Sequence, residues 1–255
     1  MIRVGLIIVL GTALFACASR PVQAPTPPQQ DDPELSVALA ETLVEAGAHK
    51  NAVPILRSAL AKRPNDPRLH YLLGTVLRER EQYSQAKAEL LLALKAAPNM
   101  APAHDGLALV YALQGQHADA LRHHDRAVSL APKVPRFLNN RGFTRTLNNQ
   151  LPDAVLDYEA AIRLDPSARQ TYVNLGFALA RQGKDEAALS AFRQALTDAE
   201  ALNNLALAKE LVGRPDDARR LYRDALEADP KLREALDNLS ALETRPPPPA
   251  KEMTP

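Results

Sequence analysis

Proline recurs at Pro64, Pro98, Pro132 and Pro166 at intervals of 34 residues, and returns at Pro230. A chain punctuated this way is hard to fold into one mixed globule. Each proline ends a helix, because it lacks an N–H and clashes with the turn before it. Placing the prolines at position 32 of a 34-residue unit starts the units at Pro33, Pro67, Ala101, Pro135, Arg169 and Ala199. Position 20 is then Ala in all six (Ala52, Ala86, Ala120, Ala154, Ala188, Ala218). Position 27 is Ala in all six as well (Ala59, Ala93, Ala127, Ala161, Ala195, Ala225). Position 8 is always small: Ala40, Gly74, Ala108, Gly142, Gly176 and Ala206. Alanine is about one residue in six of this chain, so twelve matches out of twelve mark a true internal repeat.

The spacing predicts two helices per unit, at positions 1–14 and 18–31. A tight turn near position 15 joins them, where four units carry glycine (Gly47, Gly115, Gly183, Gly213). Small residues at positions 8, 20 and 27 let helix axes approach closely. Larger side chains at 7, 11, 24 and 28 fill the space around them. No single pair buries its apolar face, so the units must stack.

This pattern resembles the tetratricopeptide repeat over about 200 residues. The aromatic usual at position 24 appears as Tyr158, Phe192 and Tyr222, with Leu56, Leu90 and His124 in the first three units; position 4 lacks Trp throughout. The resemblance implies an all-α fold, a right-handed superhelical α-solenoid of six helix pairs (33–66, 67–100, 101–134, 135–168, 169–198, 199–232). An amphipathic segment, "LREALDNLSAL", follows and is expected to cap the array over 233–243. The fifth unit is four residues short, so its junction with the sixth should be tighter or bent.

The resemblance also implies that positions 2, 5, 6, 9 and 12 face a concave groove. Position 6 reads Asn140, Asn174 and Asn204 in the last three units, and Asn238 holds the matching place in the cap. Asparagine is disfavoured mid-helix by roughly 0.6 kcal/mol, so a register of four suggests a use. A carboxamide both donates and accepts, which suits gripping an extended peptide backbone. Leu109, Phe143, Phe177 and Leu207 at position 9 offer apolar pockets, and Tyr71 and Asn139 add contacts at position 5. The alternative is that the asparagines bond neighbouring helices or water. On the groove reading, replacing Asn140, Asn174 and Asn204 by Ala would leave thermal unfolding nearly unchanged. Position 5 of the first units holds Val37 and Tyr71, so the Lys/Arg carboxylate clamp of chaperone-binding members does not carry over.

Arg141 and Arg145 occupy positions 7 and 11, where apolar residues are usual. The expectation is packed stems with solvated heads; pairing with Asp153 or Asp157 is the alternative.

The amino terminus, "MIRVGLIIVLGTALFACASR", has a positive Arg3 and an apolar run of 13 residues, Val4 to Ala16. That run is short of the roughly 20 residues a spanning helix needs and suits a secretory signal over 1–16. "LFAC" resembles the lipobox of bacterial lipoproteins, with Phe15 bulkier than usual, and the sole cysteine, Cys17, stands at its lipidation position. Ala18, not Asp, follows; by the sorting rule of enteric bacteria this implies a lipid anchor in the outer membrane, facing the periplasm. Residues 17–32 and 244–255 are rich in Pro and polar residues and read as disordered linker and tail.

Lys+Arg (31) and Asp+Glu (30) nearly balance, which argues against a nucleic-acid partner. The six histidines form no metal spacing, and "LRHHDRA" points its two histidines to different sides of a helix. No phosphate loop, nucleophile elbow or zincin motif is present. The expectation is therefore a non-enzyme with no cofactor, metal or small-molecule substrate. Its partner would be a protein or peptide, and the chain would meet the membrane through its lipid. A lipobox ahead of six repeats resembles the pilotin lipoproteins of type IV pili and the repeat lipoproteins of tight-adherence pili. The rivals are an adaptor for peptidoglycan enzymes or proteases, and a soluble co-chaperone.

Overall fold

The computed structural model describes residues 33–244, and every regular element among them is a helix. The expected signal, Cys17, the linker 17–32 and residues 245–255 lie outside the described residues. The helices come in antiparallel pairs: α1 (Pro33–Glu45) with α2 (His49–Lys62), α3 (Pro67–Glu79) with α4 (Tyr83–Ala96), and α5 (Ala101–Leu113) with α6 (His117–Leu130). Then follow α7 (Pro135–Leu147) with α8 (Leu151–Leu164), α9 (Arg169–Arg181) with α10 (Asp185–Arg193), and α11 (Asp198–Leu211) with α12 (Pro215–Ala228). A lone helix, α13 (Arg233–Thr244), closes the array and takes in Thr244. The chain is thus the expected right-handed superhelical solenoid.

Each first helix stops at position 13, one residue earlier than the spacing predicts, because the turn residue at position 15 is left-handed. Gly47, Gly115, Gly183 and Gly213 have φ of 69°, 73°, 78° and 75°. Glu81 and Asn149 hold the same place in the other two units, at φ 59° and 60°. Asparagine visits this region readily; glutamate does so at a cost of about 1–2 kcal/mol.

The two helices of a unit meet where position 8 faces position 24. A Cβ on Gly176 would lie 2.5 Å from Cε1 of Phe192, and one on Gly142 would lie 2.9 Å from Cε1 of Tyr158. A Cβ on Gly74 would come within 2.7 Å of Leu90 Cγ. Glycine here is a packing requirement, since the large side chain of the second helix occupies the space. The twelve alanines at positions 20 and 27 are all buried.

Between units, each first helix packs on the next first helix, from α1 on α3 to α11 on α13, and each second helix packs on the following first helix. Successive second helices do not touch. The array therefore curves toward the side of the first helices, which line its concave face.

The short fifth unit alters one joint. Its second helix has 9 residues where the others have 14. The guanidinium of Arg169 donates to the carbonyl of Ala195 just past the end of α10. Thr197 then opens α11 with a capping box, its hydroxyl accepting from the Glu200 backbone while the Glu200 carboxylate accepts from the Thr197 N–H at 2.8 Å. As a result α9 and α11 pack against each other more extensively than other pairs of first helices. The tightened junction matches the expectation from its length.

The apolar interior is not continuous. One cluster runs from Val37 to Val110 and another from Ala154 to Ala208. A separate small group around Ala127 and Phe137 lies between them in the chain. Buried polar residues fill this stretch: Asp105, His124, Thr144, Thr146 and Asp157.

Two stability outcomes follow from this geometry. Gly→Ala inside a helix ordinarily stabilises, yet Gly176→Ala should destabilise by about 1–3 kcal/mol as its methyl meets Phe192; chemical denaturation reads the sign. Glu81→Gly should stabilise by about 0.5–1 kcal/mol by relieving a left-handed glutamate, read as a raised denaturation midpoint.

Candidate binding groove

The ten groove residues expected from sequence, Tyr71, Leu109, Asn139, Asn140, Phe143, Asn174, Phe177, Asn204, Leu207 and Asn238, all lie on first helices or on α13, and all are half-buried. Half-burial suits contact: each side chain is held by the scaffold and keeps a face open. The Phe177 ring meets Phe192 edge-on at 5.1 Å, so one edge is fixed from below.

The asparagines are tied to the first helix of the preceding unit by a rule that no single unit reveals. Position 6 of each first helix lies over position 5 of the first helix before it, 35 residues earlier. Asn140 Nδ2 donates to both oxygens of Asp105 at 3.1 Å. Asn174 Nδ2 donates to Asn139 Oδ1 at 3.0 Å, and Asn238 Nδ2 donates to Asn203 Oδ1 at 3.1 Å. Gln170 donates to Asn174 at 3.1 Å and Asn139 to Asn140 at 3.3 Å. A directional chain of amides thus runs along the concave face from Gln170 to the carboxylate of Asp105. In the second unit Tyr71 covers Gly106 in the same relation. For Asn204 the equivalent position is Val173, which has no side-chain acceptor.

Three of the four position-6 asparagines therefore link neighbouring helices through their amide N–H. Each amide has two N–H groups and two acceptor sites, so Asn139 and Asn174 have more valences than these bonds use. The linkage changes one expectation. Asp105 is 1% exposed, and removing the Asn140 amide would strip this buried carboxylate of a donor at about 1–3 kcal/mol. The triple alanine replacement would then lower thermal stability as well as any binding.

Arg141 and Arg145 correct another expectation. Their heads are not simply solvated; both converge on Asp157, which is 3% exposed. Arg141 donates to the two Asp157 oxygens at 2.9 and 2.6 Å and reaches Asp125 of the preceding unit at 2.9 Å. Arg145 donates to Asp157 at 2.7 Å and to the Asp153 carbonyl at 3.3 Å. A buried carboxylate needs such partners, and position 23 of this unit supplies one where three other units carry Ile55, Ala191 and Leu221. Lys209 was not singled out from sequence, yet it is 2% exposed and bonded to Asp185. A charged residue at position 11, an apolar place, was the signal.

The histidines sort by position. His124 is fully buried in the place of a position-24 aromatic, its Nδ1 3.3 Å from Asp105 Oδ1. His70 and His104 share position 4. Each sets Nε2 against the carbonyl of the preceding position-32 proline, Pro64 at 2.9 Å and Pro98 at 3.0 Å. The other nitrogen faces position 23: Glu89 at 2.6 Å for His70, and His123 Nδ1 at 3.0 Å for His104. Burial, together with His104 and Arg122, lowers His123 to about 4, so its ring is neutral at pH 7. Among the described residues no group of three or more His, Cys, Asp or Glu converges on a metal position, and no helix is long and apolar enough to cross a membrane.

Family comparison agrees with the geometry. Models of the tetratricopeptide repeat match residues 43–110, 101–126, 169–202 and 199–228, and a TPR repeat model matches 145–183. No curated protein matches the chain. Among solved structures, PilF of Pseudomonas aeruginosa is similar at a TM-score of 0.63 and 17% identity, over 82% of this chain and 96% of that one. YrrB, a TPR protein with an unusual peptide-binding site, aligns at a TM-score of 0.55 and 18% identity over 72% and 97%. MamA of Desulfovibrio magneticus RS-1 aligns at 0.57 and 22% over 68% and 98%. These likenesses are of fold. The family matches together span more than half of the sequence, and the chain belongs to the tetratricopeptide-repeat family.

Proposed function

We propose that this protein is a membrane-tethered scaffold that holds a protein partner, in extended form, along its concave face. The observation that carries the reading is the file of half-exposed Leu109, Phe143, Phe177 and Leu207, one per unit at position 9, beside a row of amides with unused valences. An extended strand alternates its side chains and leaves its backbone groups open. Apolar pockets at regular spacing take the former, and carboxamides take the latter. YrrB, a protein of the same fold, has a peptide-binding site, which supports a peptide as the class of partner.

The tether rests on sequence alone. Cys17 lies outside the described residues, and its setting in "LFAC" is the basis for acylation there. Several acyl chains together anchor durably where one does not. The first described helix starts at Pro33, so fifteen residues, 18–32, would separate the lipid from it. That distance suits a periplasmic reach from the outer membrane. The role we assign is assistance in assembling an envelope machine such as a pilus or its secretin. It rests on the layout of lipobox and six repeats.

Two experiments test this. Palmitate labelling of the protein in a diderm bacterium should be lost in Cys17→Ser; labelling that persists, or never occurs, removes the tether. Crosslinked partners recovered from the envelope should be depleted several-fold by Phe143→Ser with Leu207→Ser, while the helical circular dichroism stays intact. Undiminished recovery of a secretin or pilus component would reject the groove, and recovery of only peptidoglycan enzymes would reject the pilus role.

A further inference from the structure

We propose that His104 and His123 form a chelating pair for one divalent transition-metal ion of the Cu(II) or Ni(II) class, with water completing the coordination. The pair joins position 4 of α5 to position 23 of α6, and its two Nδ1 atoms are 3.0 Å apart. Both rings are partly exposed, so an ion and its water ligands can reach them.

The preceding unit supplies an internal comparison. There the same two positions hold His70 and Glu89, whose Nδ1 and Oε2 atoms are 2.6 Å apart. In both units the position-4 ring donates its Nε2–H to a proline carbonyl. For His104, whose other neighbour is an imidazole, that bond leaves a lone pair on Nδ1. A carbonyl accepting the distal N–H is the usual second partner of a metal-bound imidazole. In the third unit, with His123 in the place of the carboxylate, two ring nitrogens face each other and share one proton.

The separation selects the metal. Two nitrogens 3.0 Å apart, each about 2.0–2.1 Å from an ion, subtend roughly 95° there. That is near the right angle of square-planar and octahedral coordination, the preference of Cu(II) and Ni(II). A tetrahedral ion would need the nitrogens about 3.3 Å apart. Because the Nδ1 atoms now point straight at one another, with ring centroids 5.3 Å apart, each ring must turn by roughly 40° to aim at a common ion. His123 carries the shared hydrogen on Nδ1 and passes to its Nε2–H tautomer on binding, so both ligands are neutral and no net proton is released. The surroundings are mixed. Asp119, one turn before His123, favours a cation, while Arg122 opposes it. The Lys87 ammonium is held 4.4 Å from the Tyr111 ring centre, and Tyr111 stacks on His123 at 5.6 Å. Sequence inspection could not see the pair, because its members are 19 residues apart on two helices.

The test is calorimetric titration of the full chain carrying Cys17→Ser with NiCl2 and CuCl2 at pH 7.5. His104→Leu and His123→Leu are the informative variants, because position 4 is already Leu138 and Leu202 elsewhere, and position 23 is already Leu221. One saturable site is expected. Either variant should weaken it by on the order of 100-fold, the loss for turning a chelate into a single contact. His117→Ala should bind as the parent does, and thermal unfolding of the two Leu variants without metal should match the parent. Absence of a saturable site, or a site that survives both Leu variants, overturns the proposal.

Discussion

The structure depends on one repeated contact: a small residue at position 8 of a first helix beneath a large one at position 24 of the second. Gly176 under Phe192 and Gly142 under Tyr158 show how little space remains. This contact sets the distance between paired helices. With the alanines at positions 20 and 27, it also sets how closely the next unit can sit. Because first helices touch their successors and second helices do not, the same contact repeated six times produces curvature and, with it, a concave face. The groove is a consequence of packing and needs no separate instruction.

The polar stretch in the middle of the array is the counterpart of that apolar regularity. Around units three and four the core gives way to Asp105, His124, Arg141, Arg145 and Asp157. Each charge there has a partner of opposite sign or an amide. Arg141 reaches from Asp157 in its own unit to Asp125 in the one before, so it joins two units as well as filling one. Buried pairs of this kind are weak sources of net stability, but breaking one leaves an uncompensated charge. The joint therefore depends on exact partners where its neighbours depend on volume.

Much of the fold was legible in the sequence, for a physical reason. The period, the prolines, the left-handed turn residue and the small positions all report contacts inside one unit, and a repeat prints them six times. The short fifth unit could be read too, because a missing turn of helix must bring its neighbours closer. Cross-unit contacts were less legible, since they depend on the superhelical angle. The pairing of position 6 with position 5 of the preceding unit could have been found by noticing Asp105, Asn139 and Asn203 35 residues before Asn140, Asn174 and Asn238. Without the angle, that offset has no meaning. For Arg141 and Arg145 the sequence offers both solvated heads and pairing with Asp153 or Asp157; what decides between them, the burial of Asp157, is visible only in three dimensions. The His104–His123 contact is of the same kind.

Small-angle X-ray scattering of residues 33–244 tests the central claim, that nearest-neighbour stacking alone builds an open, curved array. A compact domain of that length would have a radius of gyration of about 17 Å and a symmetric distance distribution. The account predicts a clearly larger radius and a skewed distribution with a long tail. A radius near the compact value with a single symmetric peak would contradict it.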